Sequence, residues 1–402
     1  MAQTEVTDTN SILSFLSGQM ALVEVAKIER ELSKLWKMST ENGEGGAYVI
    51  KACALNFVLL VDSSLDDSGV DFDNLLADIT LTHPMRALLA LVKTDESRSE
   101  ENALIEAWVS ARCHFLPGRL DKQMCCEQIT VSYTGREFCP ASLSSVISPL
   151  VIADLPSWLY VPQLHFQPSE LKTFLPSFDY LIVDSRSQQP TFDQATFERF
   201  SFLLEEAKNV NVIDLAWLAI KPWRQAIAFA FDEKDVSLST DCLNAIDTID
   251  LVCGDKGGFI QSLLFVAWLG SRLKLRFLKL IRLDDGACRL AFMGAHEPFT
   301  VNIRADGPVA GLASMQVSFH KLGCCSVEEH LHVTFQEGAL TVKHEDRKEF
   351  VELPRLQCRA GVYSSTECGR SELVDDALAC IEQDPIYLET VSYLLNMLKS
   401  EA

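Results

Sequence analysis

Cysteine, histidine and carboxylate crowd one stretch of this chain: Cys113 and His114 in "RCHF", then Cys125, Cys126 and Glu127 in "MCCEQ". Such residues are the material of a zinc site or a thiolate nucleophile. Zinc needs its ligands turned to one point, as in a Cys-x-x-Cys turn, whereas neighbours on a strand face opposite ways. Cys125 with Cys126, and likewise Cys324 with Cys325, therefore read as buried thiols and not as metal ligands. The same divergence separates Cys113 from His114 as a nucleophile–base pair. No Gly-x-Ser-x-Gly elbow occurs either. "GDKGG" at 254–258 precedes an apolar run, where backbone amides at a helix start can hold an anion. Lys256 and Gly257 are its candidate ligands, although the spacings of the P-loop and the dinucleotide fingerprint are both missing. "THPMR" sets His83 and Arg86 at the start of a buried run, near where ligands of open α/β sheets sit. They are candidates for an anion or a partner as well as for a structural role. Cys358, Cys368 and Cys380, spaced by ten and twelve residues, are candidates for a thiol switch if two of them are exposed and close.

One stretch has no reactive set at all. "DLAWLAIKPWRQAIAFAFD", Asp214 to Asp232, holds Trp217, Pro222, Trp223 and Arg224. Pro222 suits the first turn of a helix. Tryptophan and arginine are the residue types that anchor interfaces, because each gives large contact area with a directed polar tip. A core tryptophan pair with an internally paired Arg224 explains the same letters, and both readings stand at this point.

The elements that must position these residues follow from periodicity. The chain has 402 residues, 48% of them hydrophobic, enough for two domains with their own cores. Ile28, Leu32, Leu35 and Trp36 mark one face of an amphipathic helix. Residues 47–62, "MRALLALVK" and "YLIVDSR" read as strands buried on both faces. "ALIEAWVSARCHF" and "MCCEQITVSYTG" read as further strands, and "FDNLLADITLT", "ASLSSVISPLVIADLP" and "TFERFSFLLEEAK" as helices between strands. That alternation predicts an α/β fold with a mostly parallel, Rossmann-like sheet flanked by helices. Beyond about residue 233 the pattern changes to an apolar helix from Phe259, then period-two segments separated by Gly and Asp, then two helices split at Pro385. This predicts an α+β C-terminal domain with an antiparallel sheet. The expected division is a helical segment at 1–45, an α/β domain at 46–235 and an α+β domain at 236–402.

Charge narrows the function classes. The formal net charge is −21, a field that repels phosphate backbones and anionic membranes, so neither nucleic acid nor a membrane is expected as partner. No apolar run reaches the roughly 20 residues that span a bilayer. "MAQTEVTDTN" lacks the pattern of a secretory signal. With 13 cysteines spread along the chain, a reducing, cytoplasmic setting with mostly free thiols is expected.

Several segments in one order then carry a resemblance: "VAKIERELSKLW", "THPMRALLAL", "WVSARCHF" with "CCEQITV", "SVISPLVIADLPSWLY", "YLIVDSR", "DLAWLAIKPWRQAIAFAFD", "SLLFVAWLGSRL" and "DPIYLETV". From about residue 22 to 393 the chain resembles the glucose-6-phosphate dehydrogenase assembly protein family, OpcA. The resemblance implies a non-catalytic protein without cofactor or metal. It would bind glucose-6-phosphate dehydrogenase, activate it allosterically and support NADPH supply by the oxidative pentose phosphate pathway. Asp214, Trp217, Pro222, Trp223 and Arg224 match the family's most distinctive run. Two other classes stay open beside it: a metabolite sensor or enzyme using the α/β crevice, and a thiol-based redox regulator of the same partner.

Overall fold

The computed structural model describes residues 14–19, 25–41, 48–63, 72–98, 103–116, 119–162, 166–187, 194–232, 243, 245–254, 256–283, 287–294, 297–305, 311–319, 330–336, 339–345, 350–352, 356–357 and 367–399. The chain forms two compact units, Met1–Ile182 and Val183–Ala402.

The first unit is built on a mostly parallel sheet. Its strands are β1 (Ser14–Gln19), β2 (Tyr48–Lys51), β3 (Leu55–Asp62), β4 (Met85–Thr94), β5 (Leu104–Leu116), β6 (Arg119–Gly135), β7 (Ser157–Val161) and β8 (Tyr180–Val183). They lie in the order β1-β5-β6-β4-β3-β7-β8, with β2 also paired to β6. β6, β4, β3 and β7 run parallel, and β1, β5 and β6 add the antiparallel side. β3 is buried along seven of its eight residues, as a strand covered on both faces must be. Helices α1 (Val25–Glu41), α2 (Phe72–Thr82), α3 (Pro140–Ile147) and α4 (Pro168–Lys172) complete the unit. Ile28, Leu32 and Leu35 of α1 are buried, the face that their spacing predicted.

Two local expectations are corrected. The single strand expected over 47–62 is two, because Ala52 donates its N–H to Cys125 and Ala54 donates to Pro84. The chain thus steps from a strand beside β6 to one beside β4. The helix expected through 141–156 stops at Ile147, where Pro149 leaves only a 3-10 turn, Ser148–Leu150.

In the second unit, β9 (Asn211–Asp214) is preceded by α5 (Gln194–Glu206) and followed by α6 (Leu215–Ala219) and α7 (Lys221–Asp232). Then come β10 (Ile246–Cys253), α8 (Lys256–Arg272), β11 (Arg276–Arg282), β12 (Cys288–Met293), β13 (Pro298–Arg304), β14 (Leu312–Phe319), β15 (His330–Gln336), β16 (Ala339–Glu345), β17 (Phe350–Glu352) and β18 (Leu356–Gln357). The helices α9 (Glu367–Leu378) and α10 (Pro385–Lys399) end the fold. The sheet order is β11-β12-β13-β10-β14-β15-β16-β17, with β18 on β16. All its pairs are antiparallel except β10–β13. α8 lies on β10, β13 and β14 and packs against α10 and α6. At the α8–α10 crossing, a side chain at Gly270 would meet the Tyr393 ring at 2.4 Å, so only glycine permits that approach.

The compact units divide at 182/183, well before the 235/236 boundary expected from the change of pattern. The reason is packing: α5 rests on α10, and α6 rests on α8 and α9. Periodicity tracks which element follows which; compactness tracks which face covers which.

Asn56 shows what one polar side chain does inside the first unit. It is fully buried, accepts the Ile152 N–H at 2.9 Å, and donates to the Ile152 and Leu155 carbonyls at 3.0 and 3.3 Å. Asn56→Ala would deprive three backbone groups of half-buried residues of their partner. Urea denaturation should show a loss of about 2–3 kcal/mol; an unchanged midpoint would mean that water or relaxation replaces these bonds.

Candidate functional site

The run that carries the family resemblance folds back on the start of α10. Asp214 closes β9 and caps α6. Its Oδ1 accepts the Ala216 N–H at 2.9 Å and the Ser185 N–H at 3.2 Å. Its Oδ2 accepts the Ser185 hydroxyl at 2.8 Å and the Tyr387 hydroxyl at 3.2 Å. The carboxyl is 1% exposed. Burial pushes it up to about 6, against the hydrogen bonds from Ser185 and Ala216; the Asp184 charge adds to the rise. Tyr387, also fully buried, is raised well above its ordinary value by burial and by Asp214.

Asp184 behaves in the opposite way. Burial works against its charge, but the Arg186 and Arg370 guanidiniums outweigh it and hold the carboxyl below its ordinary value. Arg186 donates to both its oxygens, at 2.8 and 2.9 Å, and Arg370 sits 3.3 Å from Oδ2. Two neighbouring carboxyls thus have their titrations pushed apart, which is the electrostatic pattern of an acid–base pair. Both carboxyls are buried.

Asp384 joins the other half of the run. Its Oδ1 accepts the Ile386 and Tyr387 N–H groups at 2.9 and 3.3 Å, capping α10. Its Oδ2 accepts the Trp217 indole N–H at 2.8 Å. Gln383 bonds both the N–H and the carbonyl of Val212, as a neighbouring strand would. The Arg224 guanidinium lies 3.4 Å from the centroid of the Trp217 ring, a cation–π stack. Burial lowers Arg224 to about 10, partly countered by Asp384. Pro222 stands in the first turn of α7, where its missing N–H is harmless.

The candidates from sequence fall into different places. Trp217 and Trp223 are interior, at 2% and 0% exposure; Pro222 and Arg224 are half-buried. Nε1 of Trp223 and Nε of Arg224 meet no acceptor among the described residues. Arg86 belongs to a separate cluster in the first unit. It donates to Glu127 at 2.8 Å, Glu29 at 2.7 Å and the Leu150 carbonyl at 2.9 Å. Glu127 also accepts the Trp36 indole N–H at 2.7 Å and pairs with Lys51. Burial disfavours the Glu127 charge, yet Lys51, Arg86 and Trp36 together hold it below its ordinary value. Arg86 thus faces protein acceptors at the place where an anion was considered. His83 is half-buried at the end of α2. α8 begins at Lys256, but the Lys256 side chain and the surroundings of Gly257 lie outside what the structure describes. At Gly258 an added Cβ would meet the Gly311 carbonyl oxygen at 2.5 Å; the protein's own backbone covers that part of the helix start.

Cys125 is not the free thiol expected from sequence: it forms a disulfide with Cys113. The two are directly opposed across β5 and β6, so the alternation that separates Cys125 from Cys126 puts Cys125 and Cys113 on one face. Cys126 remains free and buried. Cys358 lies outside the described residues, as does the side chain of Cys368, while Cys380 is half-buried with its thiol raised by burial. Sequence reading missed Ser185, Tyr387 and Asp384. The one local signal was Asp-Pro at 384–385, a helix start.

The elevated Asp214 carboxyl has a definite consequence for stability. A folded-state value above the unfolded one favours folding at low pH, and that contribution fades as pH rises from about 4 to about 6. Asp214→Asn cannot titrate. The stability of the native chain relative to this variant should therefore fall by roughly 3 kcal/mol across that window. Denaturation at several pH values checks this, and a flat difference would show that Asp214 does not titrate there.

Comparison with known proteins places this geometry in context. Residues 77–199 match the family model described as glucose-6-phosphate dehydrogenase subunit N-terminal domain. Residues 210–391 match the corresponding C-terminal domain. A Synechocystis sp. protein named "Putative OxPP cycle protein OpcA" is 28% identical over 186 residues, 44% of this chain and 35% of the relative. A Nostoc punctiforme protein of the same name is 29% identical over 199 residues, 49% of this chain and 39% of the relative. These matches thus span well under two thirds of the relatives' own length. Among solved structures, aldose-aldose oxidoreductase from Caulobacter crescentus aligns over 86% of this chain and 97% of its own, at 9% identity and a TM-score of 0.40. With both domain models matched in order along the chain, this protein belongs to the OpcA family of glucose-6-phosphate dehydrogenase assembly proteins.

Proposed function

We propose that this chain acts in the cytoplasm as a non-catalytic partner of glucose-6-phosphate dehydrogenase. It binds the enzyme and favours its active assembly, and so supports NADPH supply through the oxidative pentose phosphate pathway. The observation that carries this reading is the closure of the family's most distinctive run. Asp214, Ser185, Tyr387, Trp217 and Asp384 satisfy one another inside the fold, which suits a framework that shapes a surface. To act on the enzyme, the chain must bind its active state better than its inactive one; a difference of about 1.4 kcal/mol shifts the population tenfold.

Trp217, Pro222 and Trp223 serve the partner through the segment they brace. Arg224, half-buried and stacked on Trp217, supplies a direct contact. The test is an activity assay of the same organism's purified dehydrogenase with and without this chain, together with co-purification. Stimulation is expected, and no turnover by this chain alone. Arg224→Ala should weaken binding by about tenfold, the loss of one anchor, while the protein stays folded. Unchanged affinity removes Arg224 from the contact, and absent stimulation removes the reading.

A second reading, thiol control of the same partnership, is favoured by the Cys113–Cys125 disulfide. Cys113 is exposed and Cys125 buried, so a dithiol reductant reaches the Cys113 sulfur first. Two electrons pass to the bridge, leaving two thiols here and a disulfide on the reductant. Thiol counting before and after mild reduction, run beside the stimulation assay, should show two new thiols and altered stimulation. Equal stimulation in both states would dismiss it.

A further inference from the structure

β11 departs from the rest of this acidic molecule. It ends the sheet order of the second unit and pairs only with β12 among the described residues. Three of the eight exposed large hydrophobic residues among the described residues fall within six positions here: Leu278, Ile281 and Leu283, at 42%, 36% and 37% exposure. Between them stand Arg276, Lys279 and Arg282, all exposed. From 272 to 289 the sequence has six cations and two carboxylates, in a chain whose net charge is −21. Arg276 and Lys279 make no ion pair among the described residues.

We propose that the open edge of β11 docks an acidic, extended segment of a partner protein, added as a further strand. This rests on the reading that the partner is the dehydrogenase, and names the surface and the chemistry by which it is held. A strand edge offers backbone donors and acceptors at every second residue, and alternate side chains select what may pair there. Basic residues on an edge oppose pairing with a like-charged strand. A second copy of this chain pairing through the same edge would set Arg276 and Lys279 against the same cations, which disfavours that occupant. A segment of opposite sign meets no such barrier and gains attraction at long range. Protection of the edge alone would call for the cations but not for Leu278, Ile281 and Leu283 on the outside. Together they describe a partner strand that carries both carboxylates and apolar side chains. The bulge between Phe277 and Lys279 turns Leu278 out of register with β12 and adds to the exposed apolar surface.

The test uses the full chain and the purified dehydrogenase of the same organism. The double variant Arg276→Glu, Lys279→Glu is compared with a control reversal of two exposed lysines outside β11, Lys93→Glu, Lys208→Glu. Circular dichroism confirms the fold of each. The edge variant should bind at least about tenfold more weakly while the control binds normally, and native affinity should fall with salt. Amide exchange on the native complex gives a readout that no variant can confound: protection should appear at 276–283. If the native chain binds and the edge variant binds equally, or protection falls elsewhere, the edge assignment is overturned and the function is not. If the native chain fails to bind the dehydrogenase at all, both fall together.

Discussion

A carboxyl shut away from water must receive its hydrogen bonds from the protein or give up its charge, and Asp214 organises the second unit around that demand. Four donors answer it: the Ser185 N–H and hydroxyl, the Ala216 N–H and the Tyr387 hydroxyl. Each comes from a different purpose. Ala216 belongs to the helix that Asp214 caps, Ser185 to the turn after β8, and Tyr387 to the first turn of α10. Removing the carboxyl would leave buried donors without acceptors in three places at once, a larger loss than any single bond is worth. Asp384 repeats the device from the other side, capping α10 while it receives Trp217. The Trp217 ring then lies 5.7 Å from Tyr387 and under Arg224. Trp217 thus helps to seat α10, and Arg224 stacks on it.

The first unit solves a related problem with full charges. Arg86 and Glu127 are buried together, and a buried ion pair is tolerated only when its remaining donors and acceptors are met. Here Glu29, Trp36, Lys51 and the Leu150 carbonyl meet them. The cluster ties α1, β2, β4, β6 and the 3-10 turn to one point. That accounts for the presence of "THPMR" and "CCEQ" in the same chain without invoking a ligand.

The secondary elements were legible because burial leaves a period: continuous in β3, alternating in β14, and one-sided in α1. The partners of polar residues were not. Trp217 and Asp384 lie 167 residues apart, and Arg86 and Glu127 lie 41 apart; no local pattern links such pairs. The disulfide needs the register of β5 against β6, which pairs Cys113 with Cys125. A one-residue slip would have turned the same cysteines to opposite faces. The unusual composition of Asp214–Arg224 was visible, but its placement depended on a helix that arrives at the end of the chain. The segment could be singled out from sequence, and its neighbours could not.

The division between these interiors and the surface bears on how such a protein could act. Groups that would be reactive if exposed are already engaged: Asp214 and Tyr387 bond each other, and Glu127 is held by Trp36, Arg86 and Lys51. Docking would not require them to find new partners, so little free energy would be lost in rearrangement. Affinity must then come from surface that lacks internal partners, and on a molecule of net charge −21 the surface that stands out is where apolar side chains and positive charge coincide. An acidic background strengthens the contrast: it turns away acidic partners everywhere except at such a patch, so the same field that limits non-specific association would orient a specific one.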